Sequence, residues 1–278
     1  MTTTESATPA TGEKHGEQHG EPIISIRDAG IRFSRNRRRR RSLRDMLYKR
    51  QVSTAGSNEE FWPFRHVDFD IHTGEAIGVV GRNGAGKSTL LSLIAGVLIP
   101  DEGEVVVRAG VAPLIAITGG FENELSARDN IHVVAGLHGM SKAEIAESFD
   151  EIVDFAEISE FLDTPYKHFS SGMKVRLAFS VVPRLHEPIL LVDEVLAVGD
   201  AAFRKKCYSR IDSLLADGQT LFLVSHSAAH LQRFCRRGLY LRDGTLFQDG
   251  PIDEVIAQYE EDTDTAGEEL RTDMGVIG

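Results

Sequence analysis

The clearest chemistry in the chain lies in Gly81-Arg82-Asn83-Gly84-Ala85-Gly86-Lys87-Ser88-Thr89, which fits G-x-x-x-x-G-K-[ST]. A loop that wraps a polyphosphate must bring consecutive backbone N–H groups close to oxygen. That favours glycine at 81, 84 and 86, and a helix starting near Lys87 adds its positive dipole end. Lys87 is then placed to reach the β and γ phosphates of a nucleotide, and Ser88 to offer a hydroxyl to Mg²⁺. Four fixed positions recur by chance in roughly one chain in a hundred of this length, so the flanks decide. Before the loop, residues 76–80 form the apolar run of a buried parallel strand; after it, Leu90, Leu91, Ile94 and Leu98 keep helical spacing.

A second element ends the apolar run 189–192 in Asp193-Glu194. A strand that delivers a carboxylate at its carboxyl end suits a Mg²⁺ ligand, and a neighbouring carboxylate can polarise an attacking water. Asp193 is assigned to the metal and Glu194 to the water. Paired acids at a strand end are often mere solvated caps, and only the preceding glycine loop raises them above that. The next buried run, 220–224, leads into Ser225-His226-Ser227. A lone histidine is more often structural, but at the carboxyl rim of a doubly wound sheet His226 is better read as a γ-phosphate contact.

The elements that must position these residues are those of one large α/β domain spanning residues 22–260, between a disordered tail at 1–21 and an acidic flexible tail at 261–278. From Ile23 the alternation predicts two short antiparallel strands ending near Phe33. Residues 35–60 are a basic insertion: Arg35 and Arg37 to Arg41 precede Ser42, which can cap a short amphipathic helix carrying Leu43, Met46 and Leu47 on one face. Residues 66–71 read as a one-sided strand. Between 121 and 172 the pattern becomes helical, at 127–137, at 142–155 after Ser141, and at 158–162, as expected of an inserted subdomain. A hairpin over 239–247 turns at Asp243-Gly244.

The net charge of −11 disfavours general nucleic-acid binding. No apolar stretch approaches the ~18 to 20 residues that span a bilayer, and the polar start lacks the regions of a signal peptide. The expectation is a cytoplasmic protein, or one held at a membrane by a partner. Cys207 and Cys235 have no metal spacing and read as reduced and structural. The arginine run is compatible with a nucleic-acid patch, a solvated charge run, or docking to anionic head groups, where each cation near the surface contributes about 1 kcal/mol.

The order of motifs resembles a family. Gly81 to Thr89, then Phe169-Ser170-Ser171-Gly172-Met173, then Ile189 to Glu194, then Ala197-Val198-Gly199-Asp200, then His226 is similar to the ATP-binding subunits of ABC transporters over essentially residues 23 to 257. The wording of residues 170–180, with Gly120-Phe121 and Glu124-Leu125 leading to Arg128-Asp129-Asn130-Ile131, resembles the exporters of lipid-linked polysaccharides of O-antigen, teichoic acid and galactan types.

The resemblance implies a P-loop NTPase (RecA-like) core in the ABC ATPase architecture, with N-terminal antiparallel strands and an inserted α-helical subdomain. It implies two copies sandwiching two ATP molecules head to tail, each phosphate loop covered by Ser170, Ser171 and Gly172 of the other copy. Asp200 would contact across that dimer, although capping the next helix is an adequate role. Phe33 stands where the family stacks an aromatic on adenine, with Trp62 as runner-up. ATP and Mg²⁺ would be the cofactors and a polytopic transmembrane permease the partner. The subunit would lie peripherally at the cytoplasmic face of the cell (inner) membrane. Leu43 to Arg50 look like the subgroup's short helix at the entrance for a lipid pyrophosphate, with Arg37 to Arg41 attracting anionic lipid or lipid-pyrophosphate head groups.

The sequence departs from the wider family at Ser171, usually glycine, at Met173, usually glutamine, and in having no glutamine between 119 and 125, where the membrane partner is normally sensed. Glu122 and Glu124 are local polar candidates. A P-loop kinase would explain the glycine loop but not residues 169–173 or His226. A nucleic-acid-associated ABC protein would use the arginine run as an arm but generally has two cassettes or a long coiled coil. No appended sugar-recognising β domain is expected.

Overall fold

The structure is a computed structural model describing residues 20–34, 60–114, 120–181, 184, 187–193 and 200–274, with 266–274 in backbone alone. The predicted basic helix, Glu194 and residues 197–199 lie outside the described residues.

The N-terminal alternation forms β1 (Ile24–Ser34), which pairs antiparallel with β2 (Glu60–Ile71) and with β4 (Glu102–Val107) in a three-stranded sheet of order β2-β1-β4. One strand therefore replaces the two short ones that the sequence predicts. Its register shifts between Ile26 and Ala29 and again at Ile31 and Phe33, with Asp28 at φ 47°, so bulges rather than a turn interrupt the alternation. Glu21 also departs from the expected disordered tail, pairing with Arg108 at 2.8 Å.

The second sheet is built on β3 (Ala76–Val80), β5 (Val111–Leu114), β6 (Ile189–Asp193) and β7 (Thr220–Val224), with the hairpin β8 (Arg237–Arg242) and β9 (Thr245–Pro251). Its order is β5-β6-β7-β3-β8-β9, and only the β8–β9 pair is antiparallel. The central strands are buried on both faces, which is why their sequences are continuous apolar runs. The hairpin turns at Asp243 (φ 50°) and Gly244 (φ 78°), as predicted.

One apolar core fills the space between the two sheets, with Ile24, Phe64, Ile77, Phe222 and Val224 around the helix α1 (Lys87–Ile94). A second core lies on the opposite face. It joins the sheet to α2 (Ala127–Leu137), α3 (Lys142–Ala156), α4 (Ser171–Val181), α5 (Ala201–Ala216) and α6 (Ala228–Phe234). The expected helix over 158–162 is a single 3₁₀ turn, Ser159–Phe161. The last helix, α7 (Ile252–Met274), continues past the boundary at 260 that acidic composition predicts. Asp262 accepts hydrogen bonds from Arg242 at 2.7 Å and Tyr240 at 3.0 Å, which ties that stretch to the sheet.

Candidate functional site

The carboxyl ends of three strands meet at one rim. Val79 and Asp193 both pair with Val224, so β7 lies between the strand that feeds the glycine loop and the strand that delivers Asp193. Two glycines in the loop are demanded by geometry. At Gly81 a Cβ would sit 2.5 Å from the Leu241 carbonyl oxygen; at Gly86, which starts α1 at φ 93°, it would meet the Phe64 ring at 2.8 Å. The loop can thus lie against β8 and β2 only without side chains at these points.

Lys87 is 7% exposed, and its ammonium donates to the carbonyls of Gly81 at 2.6 Å and Arg82 at 3.2 Å. The lysine is folded onto its own loop, holding a positive charge where phosphate oxygens would enter. Across the rim the Ser88 hydroxyl donates to Asp193 Oδ2 at 3.1 Å. Adjacent ligands of an octahedral Mg²⁺ with bonds of ~2.1 Å lie ~3.0 Å apart, so these two hard oxygen donors fit that ion as they stand. His226 follows β7 on the same rim and is exposed.

Beside the loop is a cleft of about 360 Å³ lined by Phe33, Phe61, Pro63, Asn83, Lys87 and Thr89, among others. Gly84, Gly86 and Ser88 also border it. Arg82 contributes its carbonyl to Lys87 and to the amide of Ala85, and Ala85 packs inward against the core between the sheets. Phe33 and Phe61 are cross-strand partners, 41% and 40% exposed, and both face this cleft. Trp62 does not: strand alternation turns it to the other face, where Arg65 and Arg32 lie over its ring at 4.5 and 5.9 Å. Phe61 is the aromatic that sequence reasoning passed over, and the register of β1 on β2 is the signal that locates it.

Ser170, Ser171, Gly172 and Asp200 do not border the cleft. Ser170 is exposed, and its hydroxyl accepts from the amide of Met173 at 3.2 Å, capping α4. Asp200 caps α5, accepting from the amide of Phe203 at 2.9 Å, and its other oxygen accepts from Arg176. The Phe203 amide, with the charge of Arg176, holds the Asp200 carboxyl below its ordinary range. Cys207 and Cys235 are buried, and desolvation pushes both thiols up to about 12, in keeping with a structural role.

The segment without a glutamine is organised by Asn130, which is fully buried. Its amide donates to the carbonyls of Glu122 (3.0 Å), Leu125 (3.2 Å) and Ser126 (3.0 Å) and accepts from the amide of Glu122 at 2.6 Å. Glu124 pairs with Lys167 at 2.5 Å.

Strand, glycine loop and helix, with a carboxylate delivered beyond one intervening strand, define a P-loop nucleotide-binding domain of ABC ATPase architecture. Residues 64–197 match the ABC transporter family. The chain is 42% identical over 199 residues to the ABC transporter protein AbcA of Aeromonas salmonicida, covering 72% of this chain and 65% of that one. It is 39% identical to the teichoic acids export ATP-binding protein TagH of Listeria innocua serovar 6a, covering 73% of this chain and 60% of TagH. The chain thus spans less than two thirds of the length of both. It is 33% identical over 242 residues to the O-antigen export system ATP-binding protein RfbB of Klebsiella pneumoniae, covering 87% of this chain and 98% of RfbB. The chain belongs to the ABC transporter family of ATP-binding proteins. Among solved structures, a dimeric post-hydrolysis state of the ATP-binding cassette MJ0796 bound to ADP and Pi shares the fold, with TM-score 0.65 at 21% identity over 83% of this chain and 99% of that one.

Proposed function

We propose that this chain is the ATP-hydrolysing subunit of an ABC exporter that moves a lipid-linked polysaccharide across the cytoplasmic membrane. It would act at the cytoplasmic face with a polytopic permease. The observation that carries the ATPase reading is the rim itself, where Ser88 meets Asp193 at 3.1 Å beside the loop-bound ammonium of Lys87. The cargo rests on relatives named for teichoic acid and O-antigen export.

In this reading the loop amides and Lys87 cradle the phosphates, and Phe33 with Phe61 takes the adenine in the cleft. Ser88 and Asp193 would hold Mg²⁺, which when bound neutralises charge on the β and γ phosphates. Glu194 accepts a proton from water as its oxygen attacks the γ phosphorus, and the bond to the β–γ bridging oxygen breaks to release ADP. His226 stabilises the charge on the γ phosphate. A second copy supplies Ser170, Ser171 and Gly172, whose amides at a helix start suit that phosphate, and Asp200 faces the same interface. Arg37 to Arg41 draw in the anionic head group or lipid pyrophosphate, a role that the sequence run alone supports.

The test is Mg²⁺-dependent ATP hydrolysis by the chain with its permease. The wild type should turn over, and Glu194→Gln should bind ATP but lose nearly all turnover; brisk hydrolysis by that variant removes Glu194 from its role. Replacing Arg37 to Arg41 with Gln should weaken export while sparing ATPase, and unchanged export sinks the head-group role.

A further inference from the structure

Outside the nucleotide rim, Arg176, on the second turn of α4, joins three helices through its side chain. One arm of its guanidinium donates to Glu157 and the other to Asp200, and Lys206 of α5 donates to Glu157 at 2.5 Å. Arg176 is only 19% exposed, whereas the two carboxylates are 45% and 56% exposed. Its guanidinium lies over the buried ring of Phe203 at 5.0 Å. That ring meets Phe155 of α3 edge-on at 5.7 Å and Phe179 of α4 at 6.5 Å. A charged clasp and an aromatic knot thus bind the same three helices, α3, α4 and α5.

Glu157 adds an independent sign. It ends α3 in the left-handed conformation, φ 58°, a place where glycine is the unstrained residue. A glutamate held there at a conformational cost puts a carboxylate where Arg176 and Lys206 both reach it. Arg176 lies six residues beyond Ser170, so the clasp sits roughly 9 Å along the helix from the residues that start it.

We propose that Arg176 is a positioning residue that locks the start of α4 and Asp200 into one body, so that Ser170, Ser171, Gly172 and Asp200 reach a second copy together. This rests on the head-to-tail ATP dimer proposed above. Arginine suits the place because its rigid planar fork fixes the directions to both carboxylates, which lysine's point charge on a flexible stem does not.

The experiment uses the full chain in the Glu194→Gln background, measuring ATP-dependent dimerisation by sedimentation and ATP-analogue binding to the monomer. Arg176→Gln should weaken the dimer about ten-fold or more, while monomer affinity, which depends on the loop, stays within about two-fold. Arg176→Lys should recover part of the loss. Glu157→Gly is the second variant: it relieves the left-handed strain, so it should melt no lower than the parent yet dimerise more weakly. Dimerisation at the parental level in both Arg176→Gln and Glu157→Gly overturns the proposal. Equal loss of monomer binding and dimerisation also overturns it, since that is the mark of general damage. A parent that stays monomeric with ATP overturns the head-to-tail reading itself, and this inference with it.

Discussion

Two helix starts in this protein are built in opposite ways. Helix α1 begins at Gly86 with no side-chain cap and no acid in its first turn. Helix α4 begins behind Ser170, whose hydroxyl occupies the Met173 amide. Four other helices follow the second pattern, for Ser126, Ser141, Asp200 and Ser227 cap α2, α3, α5 and α6. Leaving the first amides of a helix uncapped costs about 1 kcal/mol unless something else fills the place. In the proposed reading the filler at α1 is the nucleotide, whose phosphate would complete what the sequence leaves open. At α4 the Met173 amide is taken by Ser170, and the exposed start of the helix suits a wall offered to a neighbour.

The sharpest way to break that contrast is to empty the cradle. Lys87→Ala removes the ammonium that folds onto the loop carbonyls, and turnover should fall by about 10³-fold or more, because charge stabilisation at the phosphates is the largest catalytic contribution in such sites. Steady-state ATP hydrolysis checks it. A variant that kept normal turnover would mean that the uncapped α1 and its lysine are not the phosphate site.

A smaller effect, on the helical side, separates folding from binding. Asn130→Ala strands the backbone groups of Glu122, Leu125 and Ser126 that the buried amide serves. The expected loss is about 3 kcal/mol of stability, measured by denaturant unfolding, with nucleotide affinity unchanged. A fall in affinity as large as the fall in stability would show that the two regions are not separable.

Next in size are the two rings of the cleft. Phe33→Ala and Phe61→Ala should each weaken ATP binding by about three- to ten-fold, in line with ~0.7–1.4 kcal/mol for an aromatic contact, in a fluorescent-nucleotide titration. Equal losses would mean that both rings hold the base; a loss confined to one identifies the ring that stacks.

Why the nucleotide rim is legible in the sequence and the helical edge is not follows from distance along the chain. Phosphate chemistry needs fixed residue types within a few positions, and the apolar runs before Gly81, Asp193 and Ser225 announce strands whose carboxyl ends share a rim. The helices 127–137 and 142–155 are likewise readable, since their caps and periodicity are local. Phe61 is not, because its place depends on pairing with Phe33 across the inserted segment. Arg176 is not, because its partners lie 19 and 24 residues away on other helices. Strand β1 misleads because bulges break its alternation, and α7 because an acidic composition hides the pairing of Asp262 with Arg242.

The smallest expected effect tests the finest of these distinctions. Trp62 neighbours Phe61 in the chain, yet the two lie on opposite faces of β2, and the tryptophan ring is covered by Arg65 and Arg32. Trp62→Ala should therefore change ATP affinity by less than about two-fold, while costing the stability of one stacked cation, of order 0.5–1 kcal/mol at an exposed site. Because Trp62 is the only tryptophan in the chain, its fluorescence should respond little to nucleotide. A large quench on ATP binding, or an affinity loss matching that of Phe61→Ala, would place the base on the other face of β2 and move the adenine site away from the cleft beside α1.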